Sequence, residues 1–421
     1  MKYCLKDIEK QYKVRLDDTQ KSVLSSLIDF IESDKHTICL RSSAGTGKSL
    51  LMSMLYDIAS LNKYDCTFVA PTNKAKLVIS NKGDNSRNST TIHSLLNLRP
   101  NLEIEDFDAS QLSFDFGFIS NKKEYNVLII DECSMINDEL FEVLCKEFSK
   151  SKLIFCGDAA QLAPVKQKSI SKIFQVETLT MTKIYRQPES KLYPVLERLR
   201  KEPIYHFDSV EDENGNIIIC DNILLMLKQY SYLFKIGDDF KDNALCKLIS
   251  YTNKRISALN EIIQKMLFQD DEEYHVGEIL TGYDTCKRNN SRIEDSKDYT
   301  IKQILPVDMQ IEDRHLKSYF IKLFDGEKTF FVNILSKQNS KEDFDFLAKK
   351  IESKRQCALH TKKNFNWKLF YELYDKFLTP VDLVYDNRII KRKSIDYGYC
   401  ISAHRSQGSS YSIVLIDMEN I

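Results

Sequence analysis

Residues 40–51 read LRSSAGTGKSLL, and no other stretch limits the possible folds as strongly. Glycine, four residues, then Gly-Lys-Ser/Thr is the pattern of a phosphate-binding loop. Gly47, Lys48 and Ser49 keep their places in it, while Ser42 stands where the first glycine belongs. Serine is small, so the turn stays feasible. HTICL before the loop reads as a short buried strand, and after it Leu51, Met54, Leu55 and Ile58 recur at helical spacing. A strand, a glycine-containing turn and a helix N-terminus together aim backbone N–H groups at an anion. The spacing lets Lys48 neutralise β- and γ-phosphates and lets the Ser49 hydroxyl hold Mg²⁺. The expected ligands are therefore a nucleotide and Mg²⁺, with Ala44, Gly45, Thr46, Gly47, Lys48 and Ser49 as the cradle.

Around this loop, TICL, CTFVAP, NVLIIDE and KLIFCGD are strand-like and alternate with amphipathic stretches such as DELFEVLCKEF. Such alternation predicts βαβ units and a parallel sheet, hence an α/β fold. Residues 97–122, rich in Phe and Asp, read as a hairpin-like excursion from that sheet. NALCKLISYTN is a further buried strand, followed by the helical KRISALNEIIQKML. From about 271 the texture changes to GEILTGYD, SYFIKLFD and TFFVNIL, then to a Lys-rich helical stretch containing Trp367. Residues 271–390 read as an inserted small β module with a helical arm. Near 391 the chain returns to a strand, a loop and another strand.

The 421 residues are 43% hydrophobic and 29% charged, the profile of an ordinary globular protein. No apolar run reaches the length of a membrane span, and MKYCLKDIEK lacks the apolar core of a signal peptide, so the expected location is the cytoplasm. Eleven cysteines are scattered without a C-x-x-C pair, which suggests neither a zinc site nor a disulfide framework. Cys39 and Cys156 read as small core residues. Sixty basic and 61 acidic side chains give a net charge of -1, so any nucleic-acid contact must use local patches. Candidates are 349–355, Lys362 with Lys363, and 388–393, although charge runs are usually solvated faces.

A phosphate loop alone says only that a nucleotide binds. In VLIIDECSM an apolar strand delivers Asp131 and Glu132 to a loop, and the two carboxylates divide naturally: Asp131 for the Mg²⁺ shell, Glu132 to orient and deprotonate water. That pair points to hydrolysis rather than transfer to a second substrate. FCGDAAQLAPV ends another strand at Gly157 and Asp158, with Gln161 placed to sense a γ-phosphate. Arg186, in LTMTKIYRQ, is the nearest candidate for an arginine that stabilises the transition state.

RLDDTQKSVL, SAGTGKS, VAPTNKAK, TTIHSLL, IIDECSM, GDAAQLAPV, YRQ, SYTNKRISALN and YCISAHRSQGSSYSIVLID occur in that order. The whole chain thereby resembles the superfamily 1B DNA helicases of the phage Dda and RecD-like branch. The resemblance implies two RecA-like P-loop domains: 1–96 with 123–186, and 187–270 with 391–421. It also implies a hairpin pin at 97–122 in the first and an SH3-like β insertion at 271–390 in the second. It implies ATP-driven 5′-to-3′ movement on single-stranded DNA and forked duplex, in viral replication or recombination, with replication or recombination proteins as partners. Residue by residue, Gln20 resembles the adenine-reading glutamine. Lys48 and Ser49 match the phosphate and Mg²⁺ ligands, Asp131 and Glu132 the Mg²⁺ ligand and base, Gln161 the γ-phosphate sensor and Arg186 an arginine finger. Pro71, Thr72, Thr91, His93, Asn253 and His404 lie in strand-contacting motifs, and Gln407 and Gly408 in the part of SAHRSQG that also faces the nucleotide. Ser42 and Ala163 depart from the pattern mildly. The final arginine-containing motif has no match before Ile421, so a truncated chain with weak hydrolysis is the expectation. Two readings stay open beside the motor: a nucleotide-gated single-strand-binding module, and an RNA helicase of the same superfamily.

Overall fold

The computed structural model describes residues 1, 3–43, 45–71, 87–96, 124–161, 164, 171–185, 190–201, 208–213, 215–235, 246–284, 286–288, 291–361, 363–407 and 409–420. The side chains of His93, 286–288, 291 and 292 are not among those described. The hairpin expected at 97–122 lies outside these residues. The chain divides into two compact units, Met1–Ile219 and Cys220–Ile421.

The first unit opens with helices α1 (Leu5–Tyr12) and α2 (Asp18–Glu32). Asp17 caps α2 through a capping box: its carboxylate accepts the Gln20 N–H at 2.8 Å, and the Gln20 Oε1 accepts the Asp17 N–H at 3.2 Å. The central sheet contains β1 (Thr37–Ser42), β2 (Cys66–Ala70), β3 (Ser89–Thr91), β4 (Val127–Ile130), β5 (Lys152–Gly157) and β6 (Thr178–Met181). Their order is β3-β2-β4-β5-β1-β6, and every pairing is parallel. Both faces are covered. Ile38, Leu40, Val127 and Ile129 enter one core with α2 and α3 (Lys48–Leu61), while Cys39, Leu128 and Ile130 enter a second core with the helix Asp138–Glu147. Burial on both sides is why these strands read as unbroken apolar runs. Leu51, Met54, Leu55 and Ile58 of α3 are all fully buried, as their spacing predicts. Each contributes about 1.5–3 kcal/mol of transfer free energy. A short hairpin, β7 (Val210–Asp212) and β8 (Gly215–Ile217), closes the unit.

The second unit carries β9 (Cys246–Ser250), followed by the helix Asn253–Phe268, and then a change of texture. Strands β10 (Ile279–Gly282), β11 (Cys286–Arg288), β12 (Ser291–Ile293), β13 (Asp298–Ile311), β14 (Arg314–Phe324) and β15 (Thr329–Leu335) come next. The helices Lys341–Thr361 and Asn364–Tyr374 follow, then β16 (Leu383–Tyr385), β17 (Arg388–Lys391), β18 (Ile395–Tyr397), β19 (Cys400–Ser402) and β20 (Ile413–Ile416). An antiparallel sheet, β15-β14-β13-β10-β18, shares a core with a parallel one, β19-β9-β20. The two helices pack on Met309, Ile311 and Leu316 at the far end of the long strands. Among the described residues no helix is long and apolar enough to cross a membrane.

Candidate functional site

In the sheet of the first unit β4, β5 and β1 are consecutive neighbours. All are parallel, so their carboxyl ends open on the same edge, where ligands of open α/β sheets bind. The phosphate loop leaves β1, Asp131 and Glu132 leave β4, and Asp158 leaves β5. Residues far apart in the chain thus meet at one edge because of strand order alone.

Ser42 is the last residue of β1, paired with Met181 of β6, and it keeps an extended backbone. The positive φ values fall on Gly45 (83°) and Gly47 (89°) instead, so serine meets no conformational demand at the first position. Gly47 is required twice over. Besides its φ, a Cβ there would lie 2.8 Å from Gln20 Nε2, the amide that donates to the Thr46 carbonyl at 3.2 Å.

Lys48 Nζ lies 2.6 Å from Asp131 Oδ1 and 4.0 Å from Glu132 Oε2. Burial works against its charge, but the two carboxylates outweigh that and hold the ammonium well above the ordinary lysine value. Glu132 has φ 51° and ψ 42°, a left-handed conformation for a residue with a Cβ; such strain costs about 1–3 kcal/mol and gathers at functional positions. Ser49 follows Lys48 in the first turn of α3. A hydroxyl and a carboxylate are hard oxygen donors of the kind Mg²⁺ takes alongside waters and substrate phosphates, so Ser49 and Asp131 fit that ion. Gln161 Oε1 accepts from Ser134 Oγ at 3.4 Å, which holds the sensor candidate beside the carboxylate turn.

Cys133 fills the space between these turns. A Cβ on Gly157 would lie 2.6 Å from its Sγ and 3.2 Å from its backbone N. Burial raises the Cys133 and Cys156 thiols well above the usual range, so both are packing groups. Gly157→Ala is expected to cost about 1–3 kcal/mol, the range for overpacking, read as a lower urea midpoint. An unchanged midpoint would show that the two turns are not in contact.

Two features of this site had no sequence signal. The Tyr185 N–H donates to the Gly45 carbonyl at 2.9 Å, and its hydroxyl donates to the Asp17 carboxylate, which Lys183 also approaches at 3.5 Å. The Tyr185 hydroxyl and then the Gln20 N–H hold the Asp17 carboxyl below the usual carboxylate range. Arg200 grips Asp158 with two hydrogen bonds of 2.7 and 2.8 Å.

The remaining expected residues divide. Pro71 is buried directly after β2, and buried Thr91 uses its hydroxyl to accept the Ser94 N–H at 3.2 Å and to donate to Ser94 Oγ at 3.1 Å. In the second unit Asn253 is exposed at the start of its helix. Its approach is held by the Asn420 Oδ1, which accepts the Thr252 N–H at 2.9 Å. His404 is buried, with half-exposed Tyr251 beside it at 5.9 Å between ring centroids. Gln407 Oε1 is buried without a hydrogen-bond partner among the described residues. Ala44, Thr72, Arg186 and Gly408, and the side chain of His93, lie outside the described residues.

The sequence profile described as an AAA domain matches residues 15–221, the stretch that holds this edge. The ATP-dependent DNA helicase Dda of Enterobacteria phage T4 is 26% identical over 275 residues, covering 63% of this chain and 60% of Dda. RecD, a RecBCD enzyme subunit of Buchnera aphidicola, is 30% identical over 228 residues, covering 54% of this chain and 33% of RecD. The chain resembles the superfamily 1B helicases, as these relatives bear out. The crystal structure of the Pif1 helicase from Candida albicans aligns with 96% of this chain and 88% of its own, at 15% identity and a TM-score of 0.48. This chain thus spans about three fifths of Dda and one third of RecD.

Proposed function

We propose that this chain hydrolyses Mg²⁺-ATP and uses the cycle to move 5′ to 3′ along single-stranded DNA, unwinding duplex at a fork. One observation carries the reading: a lysine, two adjacent carboxylates and a glutamine meet at the carboxyl ends of three adjacent parallel strands. Mg²⁺, if bound, would be held by Ser49 and Asp131 and would supply charge neutralisation for the phosphates. Lys48 would turn from Asp131 to the phosphates, and Glu132 would orient and deprotonate the attacking water. Gln161 senses the γ-phosphate, Gln20 reads the adenine, and Arg186 spreads the transition-state charge. Gln407 and Gly408 complete the nucleotide contacts.

Pro71, Thr72, Thr91, His93, Asn253 and His404 form the DNA contacts in this proposal. Exposed Tyr251 at the SYTN motif supplies the π-face that a sequence-indifferent grip uses. Residues 97–122 act as the strand-separating pin, and 271–390 as the SH3-like insertion. Both assignments rest on the resemblance and on position between motifs. A cytoplasmic place in viral replication or recombination follows from the same resemblance.

Polarity and substrate are tested together by unwinding assays on duplexes with 5′ or 3′ single-stranded tails of DNA or RNA. Strand separation on 5′-tailed DNA alone is the expected result. Activity on 3′ tails overturns the polarity, and equal activity on RNA tails overturns the substrate class. ATP-modulated binding without unwinding would favour a single-strand-binding module.

A further inference from the structure

Asp158 is 4% exposed, and its carboxylate is held by a planar fork: Arg200 Nη1 donates to Oδ2 at 2.7 Å and Nη2 to Oδ1 at 2.8 Å. Arg200 sits in the last turn of the helix Leu192–Lys201, with Glu197 3.7 Å from its Nε. The same Oδ1 of Asp158 also accepts the Ala160 N–H at 3.0 Å, and the Asp158 carbonyl accepts the Gln161 N–H at 3.1 Å. The carboxylate therefore organises the turn that presents Gln161, whose side chain in turn receives Ser134 Oγ next to the Glu132 turn.

Tyr185, after β6, donates its N–H to the Gly45 carbonyl of the phosphate loop, and Arg200, in the last turn of the helix, binds the sensor turn. A guanidinium fork on a buried carboxylate fixes direction as well as charge, which a lysine cannot do. Removing the fork leaves a buried carboxylate without its cation, so the turn must rearrange to reach water.

We propose that Arg200 is a positioning residue for ATP hydrolysis: by clamping Asp158 it holds the Gln161 turn in register with the Glu132 turn. The proposal rests on the ATPase reading above and deepens it. Arg200 does not reach the phosphates in this assignment, so nucleotide binding and turnover should separate.

The test compares the full chain with Arg200→Ala and Arg200→Lys, measuring steady-state ATPase with a single-stranded oligonucleotide and backbone hydrogen exchange without nucleotide. Arg200→Ala is expected to lower kcat about ten- to a hundredfold, the scale of misplacing a group by an ångström, with KM for Mg²⁺-ATP nearly unchanged. Exchange should quicken at Ala160 and Gln161 but not in β1 or α3, and Arg200→Lys should recover part of both effects. Unchanged kcat, or lowered kcat with unchanged exchange at Ala160 and Gln161, overturns the proposal. Exchange that quickens throughout β1 and α3 also overturns it, because Arg200 would then be a general support of the fold. A wild-type chain without turnover would defeat the ATPase reading and the catalytic half of this assignment together. The exchange data alone would then decide whether Arg200 holds the turn.

Discussion

Lys48→Ala is expected to lower ATP turnover by about a thousandfold or more, above what one removed hydrogen-bond donor usually costs at a transition state, about a hundred- to a thousandfold. Lys48 is the side-chain cation of the phosphate loop. Its ammonium lies 2.6 Å from Asp131 and 4.0 Å from Glu132. Truncation removes that charge from the β- and γ-phosphates and also leaves two neighbouring carboxylates without the cation between them. Nucleotide affinity should therefore fall along with turnover. Phosphate release at saturating Mg²⁺-ATP gives the first value, and equilibrium binding of a fluorescent ATP analogue gives the second. Near-normal turnover would remove residues 40–51 from the catalytic site.

Glu132→Gln separates the two carboxylates. The amide keeps the shape and the left-handed backbone at position 132, and Asp131 with Ser49 still fits Mg²⁺. Binding should persist, while hydrolysis falls at least about a hundredfold, within the range for losing a positioned base. A variant that binds ATP poorly would show that Glu132, rather than Asp131, belongs to the metal shell.

Much of the first unit was legible because its strands are buried on both faces. TICL, VLIIDE and KLIFCGD carry no alternation, only unbroken apolar runs that mark β1, β4 and β5. Asp131 and Glu132 follow the stop of β4 directly, while Lys48 was visible through the spacing of the phosphate loop. What was not legible depends on contacts far apart in sequence. Nothing in RLDDTQ announces that Asp17 receives the hydroxyl of Tyr185, and nothing in GDAAQ announces Arg200.

The long strand β13 was hidden for a different reason. Pro306 interrupts its pattern, and proline in a central strand would cost a ladder hydrogen bond. The pairing with β10 covers only Asp298–Thr300, whereas the pairing with β14 runs on to Ile311. Around Pro306 the strand is therefore an edge, and the missing N–H costs little there. His404 is a different case: its motif nominates it for a DNA contact, and the sequence did not announce that the ring is buried beside exposed Tyr251.

The most direct test of the account is ATP turnover by the purified chain with Mg²⁺, with and without a single-stranded oligodeoxynucleotide, alongside Lys48→Ala. The account predicts Mg²⁺-dependent turnover that rises when the oligonucleotide is added and disappears in the variant. Turnover that ignores the oligonucleotide, or that survives the loss of Lys48, would contradict it.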